Sequence, residues 1–298
     1  MNDESIIDPP ELLVEVADEL GLPHDRIPAV RRVAVSIDGR GDLSVLHWGE
    51  GDPEVVLLHG GGQNAHTWDL VVMQLGLPAV AIDLPGHGHS YWREDGNYWP
   101  RENALAAAVA VERLAPRARC VVGMSLGGLT TIRLSATRPD LVPRAVVVDV
   151  TPGVMSHNAT LTREQRGTTA LIREGCVYAS REDMVAEAVR ASPRRPESAT
   201  RRGVIHNSLQ LPDGSWTWRY DLGDDAEDFT PLWDDLGSIT APVMLVRGGE
   251  SAFVLEADAR EFVRRQPGAR LEVVAGAGHS VQSDRPLALA DLVADFMG

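Results

Sequence analysis

Gly123-Met124-Ser125-Leu126-Gly127 places a serine between two glycines, a spacing suited to nucleophilic catalysis. A serine hydroxyl is a poor nucleophile at neutral pH and needs a base beside it. A sharp strand-to-helix turn lifts such a hydroxyl clear of a sheet, and small flanking residues let neighbouring elements approach. The surrounding chain has that pattern. Arg119-Cys120-Val121-Val122 is a short strand-like run, and Leu126 to Ser135 is apolar-rich with helical spacing. The same pentapeptide occurs in ordinary loops, so context decides whether it is a nucleophile elbow.

The elements that must position the serine recur along the chain. Val33 to Ser36 and Ser44 to Trp48 are predicted strands joined by a Gly-Asp turn region. Glu54 to Leu58 is a continuous apolar run ending in His59-Gly60-Gly61-Gly62. Ala79 to Ile82 ends in Asp83-Leu84-Pro85-Gly86-His87-Gly88-His89-Ser90, and Ala145 to Val148 ends at Asp149. Pro242 to Val246 and Arg270 to Val274 resume the pattern, and residues 101–115 are Ala-rich and helical. Continuous apolar strands separated by helices indicate a parallel sheet covered on both faces. We therefore expect a core of residues 29–150 and 236–298, interrupted by a mainly helical cap at 151–235. Within the cap, Thr160 to Glu174 and Arg181 to Arg190 are predicted helices, and Ser215 to Tyr220 alternates like an exposed strand or lid segment. Residues 1–28 form an acidic extension in which Pro10 to Leu20 can make an amphipathic helix closed by Gly21.

Taken together, these features resemble the α/β-hydrolase superfamily over almost the whole chain. The resemblance rests on four motifs in the family's order: His59-Gly60-Gly61-Gly62, Asp83 to Ser90, the Ser125 elbow, and Gly276-Ala277-Gly278-His279. It implies an α/β fold with a mostly parallel eight-stranded sheet flanked by helices. It implies Ser125 as nucleophile and His279 as general base, in the chain order Ser, acid, His. It also implies the backbone N–H groups of Gly61 and Leu126 as oxyanion donors, the second at a helix N-terminus whose dipole favours negative charge. The competing roles are a helix cap near Asp284 for His279 and a simple turn for Gly61 and Gly62. By the same resemblance His59 shapes its loop, and His87 and His89 belong to a turn without chemistry. His66 and His206 suit ordinary surface or core positions, with pocket lining as the alternative.

The third catalytic group departs from the family pattern. Most members carry an aspartate shortly after the seventh strand, where this chain reads Arg247-Gly248-Gly249-Glu250-Ser251-Ala252-Phe253-Val254. Neither Ser251 nor Ala252 can hold an imidazole tautomer as a carboxylate does. Two replacements are open. Glu250 lies in that loop, one or two positions early. Asp149 ends the sixth strand, and adjacent strands are about 4.8 Å apart, so its carboxylate can reach a histidine above the fifth. We favour Asp149, whose competing role is bracing the first turn of the cap; a serine–histidine dyad or another acid is the remaining alternative.

Composition bounds the remaining choices. The 298 residues carry a formal net charge of −15, which disfavours nucleic-acid and anionic-membrane partners. Two cysteines, Cys120 and Cys176, give no disulfide framework or zinc spacing. The acidic start has no apolar signal region, so a cytoplasmic location is expected. No metal or organic cofactor is implied, and a monomer or homodimer acting on a small molecule is expected. Serine as nucleophile favours hydrolysis of a small or medium carboxylic ester or lactone through an acyl-enzyme. Carbon–carbon bond hydrolysis, cofactor-free lyase or perhydrolase chemistry, and a non-catalytic binding module on the same fold are the alternatives. Met155, Trp216 and Trp218 are candidates for pocket lining or for packing within the cap. Arg194, Arg195, Arg201 and Arg202 form either an attractor for an acidic substrate or, as we favour, a solvated charge run.

Overall fold

The computed structural model describes residues 10–172, 176–221, 223 and 228–298. Parts of three expected elements lie outside the described residues: 1–9 of the extension, 173–174 of the helix from Thr160, and 222 and 224–227 of the cap.

The chain begins with helix α1 (Pro10–Leu20), ended by Gly21 at φ 64°. Strands β1 (Val30–Ile37) and β2 (Gly41–Trp48) form an antiparallel pair. Then come β3 (Val55–Leu58), α2 (Asp69–Leu75), β4 (Ala79–Ile82), α3 (Pro100–Leu114), β5 (Cys120–Met124), α4 (Leu126–Thr137) and β6 (Ala145–Val148). After β6 the chain leaves the sheet for α5 (Met155–Asn158), α6 (Arg163–Arg166), α7 (Arg181–Ala191) and α8 (Glu197–Asn207). A small hairpin follows, β7 (Ser208–Gln210) with β8 (Trp216–Trp218), and then α9 (Leu232–Ser238). The chain returns through β9 (Val243–Gly248), α10 (Glu256–Arg265), β10 (Arg270–Val274), α11 (Val281–Asp284) and α12 (Pro286–Met297).

Eight strands form one sheet in the order β1-β2-β4-β3-β5-β6-β9-β10. β2 pairs antiparallel with both neighbours, and every other pairing is parallel. The period-two alternation of a strand explains how uninterrupted apolar runs serve two cores. Val56, Leu58, Val121, Val147 and Leu245 face α3, α4, α9 and α10. Val55, Leu57, Val122, Val146 and Met244 face α1, α2 and α12. Cys120 is part of the second core, and burial pushes its thiol up to about 12. No helix among the described residues is long and apolar enough to cross a membrane.

Three expectations need correction. The continuous helix from Thr160 is not formed. α6 lasts one turn and stops at Gly167, whose φ of 53° breaks the right-handed helix, and a 3-10 turn carries on to Leu171. Ser215 to Tyr220 does contain a strand, β8, but not an exposed one, because Trp218 and Tyr220 are buried with Leu171, Met184 and Val204 in a separate apolar cluster. The four arginines are not uniformly solvated: Arg194 and Arg201 stay partly exposed, whereas Arg195 and Arg202 are largely buried, and all four are paired. Arg201 and Arg202 pair with Glu15 and Glu19 of α1, Arg194 with Glu250, and Arg195 with Asp284. These pairs tie the segment between β6 and β9 to the sheet-bearing part of the chain.

Candidate active site

The carboxyl ends of β5 and β6 and the loops after β9 and β10 meet at one edge of the sheet, where open α/β sheets place their sites. Ser125 follows β5 with φ 51° and ψ −116°, before the first turn of α4. Its N–H donates to the Val148 carbonyl at 3.0 Å. The flanking glycines are forced by packing. A side-chain carbon on Gly127 would collide with the backbone of Leu58 and His59, and one on Gly123 with the backbone of Gly127. Asp149 follows β6 with φ 52°, its N–H donating to the Val246 carbonyl at 2.7 Å. Ser125 and Asp149 are the two non-glycine residues at positive φ among the described residues. Such backbone costs on the order of 1–3 kcal/mol per residue and clusters at functional sites.

Ser125, His279 and Asp149 are brought together. Nε2 of His279 lies 3.1 Å from the Ser125 Oγ, and Nδ1 lies 2.8 Å from Oδ2 of Asp149. The Asp149 carboxylate is fully buried. Its Oδ1 accepts from the Gly248 N–H at 2.8 Å, and its Oδ2 accepts from the Ser251 hydroxyl as well as from His279. Phe253 stacks flat on the His279 ring, with centroids 3.5 Å apart and planes at 13°. His279 does not cap a helix, since both its ring nitrogens face the Ser125–Asp149 line, and Asp284 instead accepts from the Gly278 N–H at 2.8 Å. Glu250 stands apart, half-exposed and paired with Arg194 at 2.8 Å.

Gly61 and Leu126 both line a cavity of about 360 Å³ that also contains Ser125 and His279. Among the described residues neither N–H has a hydrogen-bond partner, while those of Gly60 and Gly62, on either side of Gly61, do. Gly60 donates to Oε1 of Gln63 at 3.1 Å, and Gly62 to Nε2 of His87 at 3.0 Å. His59 shapes the same loop. Its Nδ1 lies 2.8 Å from the Gly60 carbonyl, and its Nε2 accepts from the Leu84 N–H at 2.9 Å. Burial holds His59 down to about 3, and burial also lowers His87, so both rings stay neutral acceptors.

The rest of the cavity is mainly apolar, with Leu129, Val150, Val154, Met155 and Phe229 among its walls. Met155 thus lines it, whereas Trp216 and Trp218 do not. Trp218 lines a neighbouring cavity of about 150 Å³ on the far side of Gly61 and Gly62, together with His66 and His206. His66, Asp69 and His206 offer donor atoms within 4.8 Å of one another. They suit a metal poorly. The two rings stack at 3.7 Å and 10°, so their lone pairs run side by side instead of converging. His66 also spends Nδ1 on Asp69 and receives the Arg32 guanidinium at Nε2.

The structure adds residues that the sequence reading passed over. Ser251, set aside as unable to replace an aspartate, contacts the aspartate that does the holding. Its place at the family's usual acid position was the available signal. Gln63 bridges the glycine loop toward Ser280 and Gln282, and Asn207 of α8 donates to the Gly62 carbonyl at 2.8 Å. No local pattern marks either residue, because each acts across a long chain separation.

The sequence pattern of the alpha/beta hydrolase family matches residues 55–292. The esterase Rv0045c of Mycobacterium tuberculosis is 50% identical over 95% of this chain and 93% of its own length. The sn-1-specific diacylglycerol lipase ABHD11 of Mus musculus is 28% identical, over 82% of this chain and 81% of its own. A solved structure of the M. tuberculosis esterase superimposes with a TM-score of 0.85 at 49% identity, covering 96% of this chain and 97% of the other. Matched in sequence pattern, strand order and motif placement, the chain belongs to the alpha/beta hydrolase family.

Proposed function

We propose that this protein is a serine esterase that hydrolyses small or medium carboxylic esters or lactones through an acyl-enzyme. The observation that carries the reading is the unbroken line Ser125 Oγ, His279 Nε2, His279 Nδ1, Asp149 Oδ2, with steps of 3.1 and 2.8 Å. The likeness to the M. tuberculosis esterase supports ester hydrolysis as the reaction class.

In this mechanism the Ser125 Oγ attacks the acyl carbon while His279 Nε2 takes its proton. Asp149 keeps the remaining ring proton on Nδ1 and stabilises the imidazolium. The N–H groups of Gly61 and Leu126 receive the negative charge that develops on the acyl oxygen. His279 then passes its proton to the leaving alkoxide, which departs as an alcohol. Water attacks the acyl-serine, giving its proton to Nε2, and collapse returns the Ser125 hydroxyl and releases the carboxylic acid. The apolar walls suit the acyl side, and a cavity of about 360 Å³ lies toward the small end of ligand pockets. Residues 151–235 serve as a cap that shields the acyl-enzyme from bulk solvent.

A fluorophosphonate probe and p-nitrophenyl esters of graded chain length test the reading. Wild-type protein is expected to label at Ser125 and turn over short and medium esters, and Ser125→Ala to do neither. Labelling that survives Ser125→Ala would sink the proposal. Matched lactones in the same panel separate cyclic from open esters.

A further inference from the structure

We infer that Ser251 is a positioning residue for the Asp149–His279 pair, an inference that rests on the functional reading above. The loop after β9, where relatives of this layout usually carry the acid, holds the acid from the side instead of supplying it. The Ser251 hydroxyl donates to Oδ2 of Asp149, the same oxygen that faces Nδ1 of His279. Ser251 Oγ is itself fixed, because it accepts the Phe253 N–H at 3.1 Å. Phe253 in turn lies flat against the His279 ring. One short loop therefore sets both the carboxylate oxygen and the plane of the imidazole it addresses.

Two consequences follow from the shared oxygen. Without Ser251 the carboxylate keeps only the Gly248 N–H on Oδ1 and His279 on Oδ2, and loses the contact that ties Oδ2 to the loop after β9. The hydroxyl also draws charge from Oδ2, since a donor to an anion is a strong hydrogen bond. Removing it leaves more negative charge facing His279 and favours the imidazolium, which cannot act as a base. The charged groups nearby have other partners: of those sharing the cavity, Arg166 donates to the Asn158 carbonyl and Asp221 accepts from the Tyr98 hydroxyl. Glu250 pairs with Arg194, Arg247 with Glu256, and His157 of α5 faces the Phe253 carbonyl and Asp258 of α10. None of these pairs includes Asp149.

The test compares Ser251→Ala, Ser251→Thr and Asp149→Asn on one chromogenic ester, with folding checked by circular dichroism. Ser251→Ala is expected to lower kcat about tenfold with KM nearly unchanged. It is also expected to move the acid limb of the kcat/KM profile about half a unit to higher pH. Ser251→Thr keeps the hydroxyl and is expected to restore both. If Asp149→Asn is inactive while Ser251→Ala matches wild type in kcat and in pH profile, this inference fails and the functional reading stands. An unshifted profile with a lowered kcat that Thr does not restore also overturns it, since that marks a loop-packing role. If Asp149→Asn keeps full activity, this inference fails together with the Asp149 step of the mechanism, while labelling at Ser125 still decides the esterase reading.

Discussion

The side-chain amide of Asn207, on α8, donates to the carbonyl of Gly62 at 2.8 Å, 145 positions earlier in the chain. The bond joins the segment between β6 and β9 to the loop that presents the Gly61 N–H to the cavity. Together with the Gly62 N–H bond to His87, it holds both polar groups of Gly62, leaving the adjacent peptide little freedom.

Asn207→Ala should therefore act on catalysis more than on substrate affinity. Loss of the bond releases the Gly62–Gln63 peptide, and drift passed along the glycine loop to the Gly61 N–H weakens transition-state stabilisation. The expected outcome is a fall in kcat of about tenfold with KM within about twofold. Steady-state kinetics on a short-chain ester decides it, and an unchanged kcat would show that His87 alone suffices.

The two carboxylates weighed for the acid are expected to separate cleanly. Asp149 is buried against His279, whereas Glu250 is half-exposed on Arg194. Asp149→Asn keeps the shape but loses the charge that stabilises the imidazolium, and kcat is expected to drop by about 1,000-fold or more. Glu250→Gln removes a surface pair worth less than about 1 kcal/mol and should leave kcat within about twofold. The reverse ranking would remove Asp149 from the mechanism.

Acid should weaken the fold through its buried histidines. Burial holds His59 down to about 3 and lowers His87, against an unfolded value of 6.5. Below 6.5 the unfolded chain takes up protons that the native rings refuse, so stability falls as pH falls. The contribution is complete above 6.5 and is lost on the way down toward the native values. The slope is on the order of 1 kcal/mol per pH unit for each fully buried ring. Urea midpoints taken from about pH 7 to about pH 5 should decline steadily, and a flat series would contradict the neutral, buried state of these rings.

Much of the site was legible in the sequence because its signals are local. Apolar runs of four or five residues marked the strands, and punctuation after each run marked where the chain turns at the edge of the sheet. Gly123 and Gly127 flank Ser125 because any side chain there would strike neighbouring backbone, so packing left a trace in residue identity. Errors fell where one local residue outweighed periodicity or where the partner lay far off in the chain. A single glycine, Gly167, stopped a helix that periodicity would have extended. Arginines that looked solvated found partners on α1 and on the loops after β9 and β10.

By itself the sequence determined a parallel sheet, a serine on a tight turn and a histidine after the last strand. It could narrow the acid to Asp149 or Glu250 but not choose between them on contact. In the tertiary structure the order β6-β9-β10 brings Asp149 to 2.8 Å from a histidine 130 positions away, and leaves Glu250 paired with Arg194. The same adjacency turned Ser251 from a missing acid into the acid's neighbour. Strand order is set by long-range burial on both faces of the sheet, and no window of local sequence contains it.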